Sequence, residues 1–142
     1  MGKKLFIYLD GASRGNPGEA GYGIVIKDEH GKVLHEIAKY IGRATNNVAE
    51  YEALLRCLEE IDPAKGPWQD VGMVTAYSDS ELLVRQVRGD FRVRNRVLKE
   101  YFQKILRLIK GRAYSFEIQF ITRKENKEAD RLANRAINLQ ID

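Results

Sequence analysis

The chemistry this sequence can offer lies in four carboxylates: Asp10, Glu50, Asp79 and Asp130. Two of them stand in apolar settings. Asp10 follows the run Leu5-Phe6-Ile7-Tyr8-Leu9 directly. Glu50 precedes Leu54, Cys57, Leu58 and Ile61 by four, seven, eight and eleven residues, which puts it on the same stripe of a helix. A carboxylate on a buried stripe needs a partner. Asp79 and Asp130 also have structural readings. Ser78-Asp79-Ser80-Glu81 fits a capping box with Ser78 as N-cap, and the dipole of a helix favours an acid in its first turn. If the four converge they repel, and some take up protons unless cations sit between them. No lysine or histidine recurs beside all four. Acidic clusters of oxygen donors suit Mg²⁺ or Mn²⁺, and two such ions can activate a water and stabilise a leaving oxygen on a phosphodiester.

Convergence depends on the elements that carry them. Residues 5 to 9 predict a central strand covered on both faces, with Phe6 and Tyr8 on one and Leu5, Ile7 and Leu9 on the other, ending at Asp10. The glycines and polar residues from Gly11 to Gly18 predict a flexible loop. Ala20 to Lys27 and Lys32 to Ile41 predict two further strands, antiparallel through their short connections. A helix begins at Thr45-Asn46-Asn47 and stops at Pro63. Gly72 to Ser78 predicts a fourth strand, and residues 79–87 a short helix. A longer helix from Asn95 to Lys110 carries the stripe Val97, Leu98, Tyr101, Ile105, Leu108 and Ile109. Tyr114 to Ile121 predicts a fifth strand. A last helix from Glu125 to Leu139 buries Ala129, Leu132, Ala133, Ala136 and Ile137. Trp68 reads as a packing residue, and His30 and His35 as surface residues.

The element order is β-β-β-α-β-α-α-β-α. With right-handed crossovers it gives an α/β fold: a five-stranded mixed sheet of order 3-2-1-4-5 flanked by helices. If strands one, four and five are parallel, all three end at one edge, where the first and last helices begin. All four carboxylates then meet at that edge, the one ligands favour in open α/β sheets.

The 142 residues read as a single catalytic domain, 1–142, with 44% hydrophobic and 31% charged content. Cys57 stands alone, so no internal disulfide forms. No apolar run approaches the roughly 20 residues that span a bilayer, and no signal peptide opens the chain. The expectation is a cytoplasmic monomer with no membrane partner. A net charge of +4 permits a polyanionic partner.

The strings Tyr8-Leu9-Asp10-Gly11-Ala12-Ser13 with Asn16-Pro17-Gly18, Thr45-Asn46-Asn47-Val48-Ala49-Glu50, Tyr77-Ser78-Asp79-Ser80 and Asn126-Lys127-Glu128-Ala129-Asp130 resemble ribonuclease H of type 1. They stand in that family's order and cover nearly the whole chain. The resemblance implies a ribonuclease H-like fold and an endonuclease that hydrolyses the RNA strand of an RNA–DNA hybrid. It implies two Mg²⁺ ions, with Mn²⁺ as a substitute, held by Asp10, Glu50, Asp79 and Asp130, and products with 5′-phosphate and 3′-hydroxyl ends. It also implies that Glu50 contacts a ribose 2′-OH. The backbone of Gly11, Ala12 and Ser13, with Asn16, Asn46 and Asn47, would contact the minor groove, and Arg43 and Thr45 would grip a phosphate of the DNA strand. The asparagines also have a structural reading, as caps of the helix they open. Double-stranded RNA stands as a second candidate partner.

The sequence departs from the family twice. Many members carry a histidine before the last aspartate. Here the short loop Thr122-Arg123-Lys124-Glu125 has none, and Arg123 is the candidate for assisting product release. The Trp-rich basic protrusion of some members is missing, and only Gly89-Asp90-Phe91-Arg92-Val93-Arg94 separates the two middle helices. Basic residues nevertheless concentrate there. Residues 85–112 hold ten Lys and Arg against Asp90 and Glu100. A solvated helix face would account for this; beside a nucleic-acid site, Arg92, Arg94 and Arg96 become a phosphate track. Other readings are another nuclease on the same fold, a hybrid-binding module without catalysis, and an acidic-edged domain with no nucleic-acid role.

Overall fold

The computed structural model describes residues 2–141. Five strands form one mixed sheet of order 3-2-1-4-5: β1 (Lys3–Ser13), β2 (Gly18–Lys27), β3 (Val33–Ala44), β4 (Val71–Ser78) and β5 (Ser115–Phe120). β1 pairs antiparallel with β2 and parallel with β4, while β5 runs parallel to β4. The helices are α1 (Asn46–Glu60), α2 (Glu81–Arg88), α3 (Arg96–Gly111) and α4 (Lys127–Leu139), the last entered through a 3₁₀ turn at Arg123–Asn126. The expected strand order and parallel pairings are present, so β1, β4 and β5 share one carboxyl edge. Among the described residues no helix is long and apolar enough to cross a membrane.

Two glycines let helices rest directly on opposite faces of the sheet. Residues 10 and 11 of β1 face opposite sides of the sheet. On the Gly11 side, an added Cβ would lie 2.3 Å from the Ala49 carbonyl carbon and the Glu50 nitrogen, so α1 rests directly on β1 there. Gly23 is the cross-strand partner of Asp10 and shares its face. A Cβ at Gly23 would lie 2.3 Å from the Ala129 carbonyl oxygen, so α4 rests on β2 on that side. The α1 stripe Leu54, Cys57, Leu58 and Ile61 is fully buried, as are Ile7 and Leu9 beneath it, and Trp68 packs into the same core.

Several boundaries differ from the sequence expectation. β1 does not end at Asp10. It continues to Ser13 because its pairing with β2 runs on to Ser13↔Ala20, whereas its pairing with β4 stops at Leu9↔Ser78. Only residues 14–17 form the connection, so Gly11 to Ser13 is strand rather than flexible loop. β1 is also not covered equally on its two faces. Leu5, Ile7 and Leu9 are buried, but Phe6 and Tyr8 are half-buried. No described helix covers Tyr8 fully: it stacks on Tyr77 with ring centroids 5.0 Å apart, under the Lys27 ammonium. Val97 leaves the expected α3 stripe and is 51% exposed. Leu132 on α4 is half-buried, whereas Ala129, Ala133, Ala136 and Ile137 are buried. His30 and His35 are exposed as expected.

Candidate active site

Asp10 sits where the sheet splits, one residue past the last β1–β4 pair, and is 5% exposed. Glu50 is 4% exposed, in the second turn of α1. Thr45 is the N-cap of that helix, its Oγ1 accepting the Val48 N–H at 3.2 Å. The Gly11 N–H donates to Glu50 Oε1 at 2.7 Å. The glycine that lets the helix approach therefore also fixes its carboxylate. Asp79 lies in the turn between β4 and α2. The N-cap of α2 is Ser80, whose Oγ accepts from Leu83, not Ser78, whose hydroxyl accepts the Ser80 N–H instead. This corrects the expected capping box and leaves Asp79 outside the helix with no capping task.

Oxygens of Asp10, Glu50 and Asp79 lie within 4.8 Å of one another. Asp130 faces this trio from the first turn of α4. Its Oδ1 accepts from Asn134 Nδ2 at 3.1 Å, and its charge reaches the other three carboxylates. The Ala129 carbonyl rests over Gly23, opposite Asp10, so the next residue in the chain is delivered to the cluster. Crowding has the expected electrostatic result. Burial, followed by the charges of Glu50 and Asp79, pushes the Asp10 carboxyl up to about 10. Burial and then Asp79 push Glu50 up to about 8, against the opposing pull of the Gly11 amide and the Arg123 guanidinium. Burial also raises Asp79, opposed first by Arg123. Arg123, exposed on the 3₁₀ turn, is thus a cation whose field reaches the cluster from the loop before Asp130, which holds no histidine.

The donor set fits a hard divalent cation. It is all oxygen, three of its members are mutually close, and the carboxyls hold protons well above their usual range when nothing else balances them. Asp10, Glu50 and Asp79 would hold it, with Asp130 alongside.

The residues expected to meet nucleic acid divide into two groups. Some are committed within the fold. Gly11 is buried with its N–H on Glu50, and the Ser13 hydroxyl lies between the carbonyls of Gly15 and Ala44. Thr45 caps α1, and Ala12 is half-buried. Others are free at the surface. Arg43, Asn16, Asn46 and Asn47 are exposed, and since Thr45 supplies the cap, neither asparagine side chain is needed for one. The Asn46 N–H donates to Asn16 Oδ1 at 3.3 Å, joining the β1–β2 turn to the start of α1. Arg92, Arg94 and Arg96 are exposed where the α2–α3 connector meets α3.

Two positions escaped sequence reasoning. Asn126 is 1% exposed and donates from Nδ2 to the Leu9 carbonyl at 2.7 Å, and its amide opposes the rise of the Asp79 carboxyl. It pins the turn before α4 to the residue ahead of Asp10. Its place in the string ending at Asp130 was the available signal. Buried Gln86 accepts from the Tyr51 hydroxyl and donates to the Arg92 carbonyl at 3.2 Å. It ties the arginine-bearing connector to the residue after Glu50, and nothing in its sequence neighbourhood signals this.

Comparison with known proteins places the arrangement in context. A family model described as reverse transcriptase-like matches residues 8–136. The chain is 41% identical over 137 residues to a bifunctional protein of Mycobacterium tuberculosis, covering 95% of this chain and 36% of that protein. It thus spans little more than a third of that relative's length. It is 34% identical over 151 residues to a ribonuclease H of Prosthecochloris aestuarii, covering 96% of this chain and 97% of that one. The structure of LC11-RNase H1 in complex with RNA/DNA hybrid superposes with a TM-score of 0.90 at 46% identity, covering 96% of this chain and 98% of the other.

Proposed function

The chain belongs to the ribonuclease H family, and on that premise we propose that it is an endoribonuclease that hydrolyses the RNA strand of RNA–DNA hybrids, leaving 5′-phosphate and 3′-hydroxyl ends. The observation that carries the reading is the meeting of Asp10, Glu50 and Asp79 within 4.8 Å at the carboxyl edge of the sheet, with Asp130 facing them. Asp10, Glu50, Asp79 and Asp130 would hold two Mg²⁺ ions, or Mn²⁺ in their place; when bound, such ions activate the attacking water and stabilise the leaving oxygen.

The chain's own residues orient the substrate. The Gly11 amide holds one oxygen of Glu50 and leaves the other for the site. The exposed amides of Asn16, Asn46 and Asn47 can both donate and accept, as recognition of a ribose 2′-OH requires. That group separates the RNA strand from DNA. Arg43 stands exposed two residues before the α1 cap, and would take a phosphate of the DNA strand. The Arg123 guanidinium offers donors and no acceptor, so it aids departure of the product by its field and not as a general base.

The test is cleavage of labelled RNA–DNA hybrid, double-stranded RNA and double-stranded DNA, each in Mg²⁺, Mn²⁺ or EDTA. Metal-dependent cutting of the hybrid's RNA strand is expected. Asp10→Asn should lower it by about a hundredfold or more, the scale on which one preorganised electrostatic group acts. Hybrid binding without cutting, or an Asp10→Asn protein as active as the parent, overturns the proposal.

A further inference from the structure

A second concentration of positive charge lies on the sheet face opposite α1. Lys127, Arg131 and Arg135 occur at four-residue intervals along α4 and line one open groove of about 840 Å³, which Asp130 also lines. Four residues of α-helix rise about 6 Å, so the three cations form a ridge leading away from the catalytic edge. All three are exposed, and none makes an ion pair with a described residue. The nearby acid Glu128 is taken by Lys27 at 2.7 Å.

The groove is more than a solvated helix face, because a fourth cation is fixed beside it. Arg14, from the β1–β2 connection, donates from Nη2 to Asn134 Oδ1 at 3.1 Å and to Asn138 Oδ1 at 2.9 Å. Asn134 in turn donates to the carbonyl and the carboxylate of Asp130, at 2.9 and 3.1 Å. A guanidinium, an amide and a catalytic-edge carboxylate are therefore joined in one chain of hydrogen bonds. The groove begins at Asp130, one of the four residues proposed to hold the metal ions, and it carries the sign of charge that a phosphate backbone needs.

We propose that this α4 groove, with Lys127, Arg131, Arg135 and Arg14, is a second phosphate-binding track that takes the RNA strand where it runs on from the cut site. The proposal rests on the hybrid-nuclease reading. It assigns the groove to the RNA strand because Asp130 belongs both to the groove wall and to the edge where that strand is cut. Arg92, Arg94 and Arg96 lead into α3, the helix that packs against α1, on the other side of the sheet. The two tracks would thus flank a duplex seated on the edge.

The experiment measures binding by fluorescence anisotropy in Mg²⁺, in an Asp10→Asn background that keeps the substrate intact. The ligands are a blunt hybrid, the same hybrid with an RNA overhang at either end, and the same hybrid with DNA overhangs. An RNA overhang at one end should tighten binding of the protein with its groove intact. Adding Lys127→Gln, Arg131→Gln and Arg135→Gln should abolish that gain and lower the slope of log K against log salt by about 2, near 0.7 for each phosphate lost from a single strand. Arg131→Glu alone should remove most of the gain, which keeps the test informative if the triple variant melts early. A gain that survives in the variants, no gain from either RNA overhang, or a gain from DNA overhangs only overturns the proposal. Failure of the nuclease reading would appear separately, as wild-type protein that leaves the hybrid uncut in Mg²⁺.

Discussion

At the scale of single residues, the site is a set of acids held where acids are costly. Asp10 and Glu50 are nearly enclosed, and their carboxyls are raised by burial first and by their neighbours second. The consequence for stability has a definite sign. In the unfolded chain these carboxyls titrate near 4. In the folded, metal-free protein they keep protons up to about 8 and about 10. Over that window the folded state binds more protons, so this contribution is fully present below about pH 4 and is lost as pH rises through the folded values. Asp10→Asn removes the charge that cannot be accommodated. In EDTA its melting temperature should match that of the parent near pH 4 and exceed it increasingly toward pH 9; a constant difference across that range would contradict the assignment. Asn126 gives a second prediction. Asn126→Ala leaves the Leu9 carbonyl, beside Asp10, without the amide it receives at 2.7 Å, and removes the pull that opposes the rise of the Asp79 carboxyl. Urea unfolding should show a loss of about 1–3 kcal/mol, and titration calorimetry should show Mg²⁺ affinity reduced about 10–100-fold, the range for a partner that orients a metal ligand.

At the scale of elements, two helices deliver acids through the same device. Ala49-Glu50 rests on Gly11 and Ala129-Asp130 rests on Gly23, one on each face of the sheet beside Asp10. Gly11→Ala and Gly23→Ala place a methyl group 2.3 Å from backbone atoms that cannot rotate away. Each should cost about 1–3 kcal/mol in chemical denaturation and cut nuclease activity further than that loss of stability explains, since Glu50 or Asp130 is displaced. Gly111→Ala is the contrasting case. Gly111 ends α3 with open space around it, so alanine there should be neutral or stabilise by up to about 1 kcal/mol. This level of structure was partly legible in the sequence. Strand order and the shared edge followed from the direction of the chain, because short hairpins and helical crossovers leave few arrangements open. The extension of β1 through Gly11, Ala12 and Ser13 was not legible, since small and polar residues signal a loop and the pairing with β2 that overrides the signal is a tertiary event. The N-cap of α2 was misplaced by two residues because Ser78 and Ser80 offer the same hydroxyl. Only the position where β4 ends chooses between them.

At the scale of the whole molecule, the acidic edge would repel a polyanion if it stood alone, and the flanks reverse that tendency. The basic run from residue 85 to 112 was visible as composition, and Arg92, Arg94 and Arg96 stood out within it, but which of its other cations serve the fold was not legible. Arg85 is paired with Glu81, and Arg112 is held by Asp62 and by the Leu58 carbonyl, so these two serve the fold. Arg92, Arg94 and Arg96 are exposed with no ion pair among the described residues, on a connector that Gln86 ties to Tyr51, the residue after Glu50. With the backbone tied at the Arg92 carbonyl, only the side chains are left to order when a phosphate arrives. Replacing all three by glutamine should weaken hybrid binding and lower the salt slope by about 2 to 3, given near 0.9 for each phosphate contact on a duplex. The blunt hybrid should feel this change fully if the connector serves the duplex and the α4 groove serves the strand beyond it. Combining the two triple variants then separates the tracks. If they grip different phosphates on opposite sheet faces, their effects on the slope for an RNA-overhang hybrid add. If the combined protein shows no greater loss than the connector variant alone, the α4 cations contact no phosphate and the connector is the only track of the two.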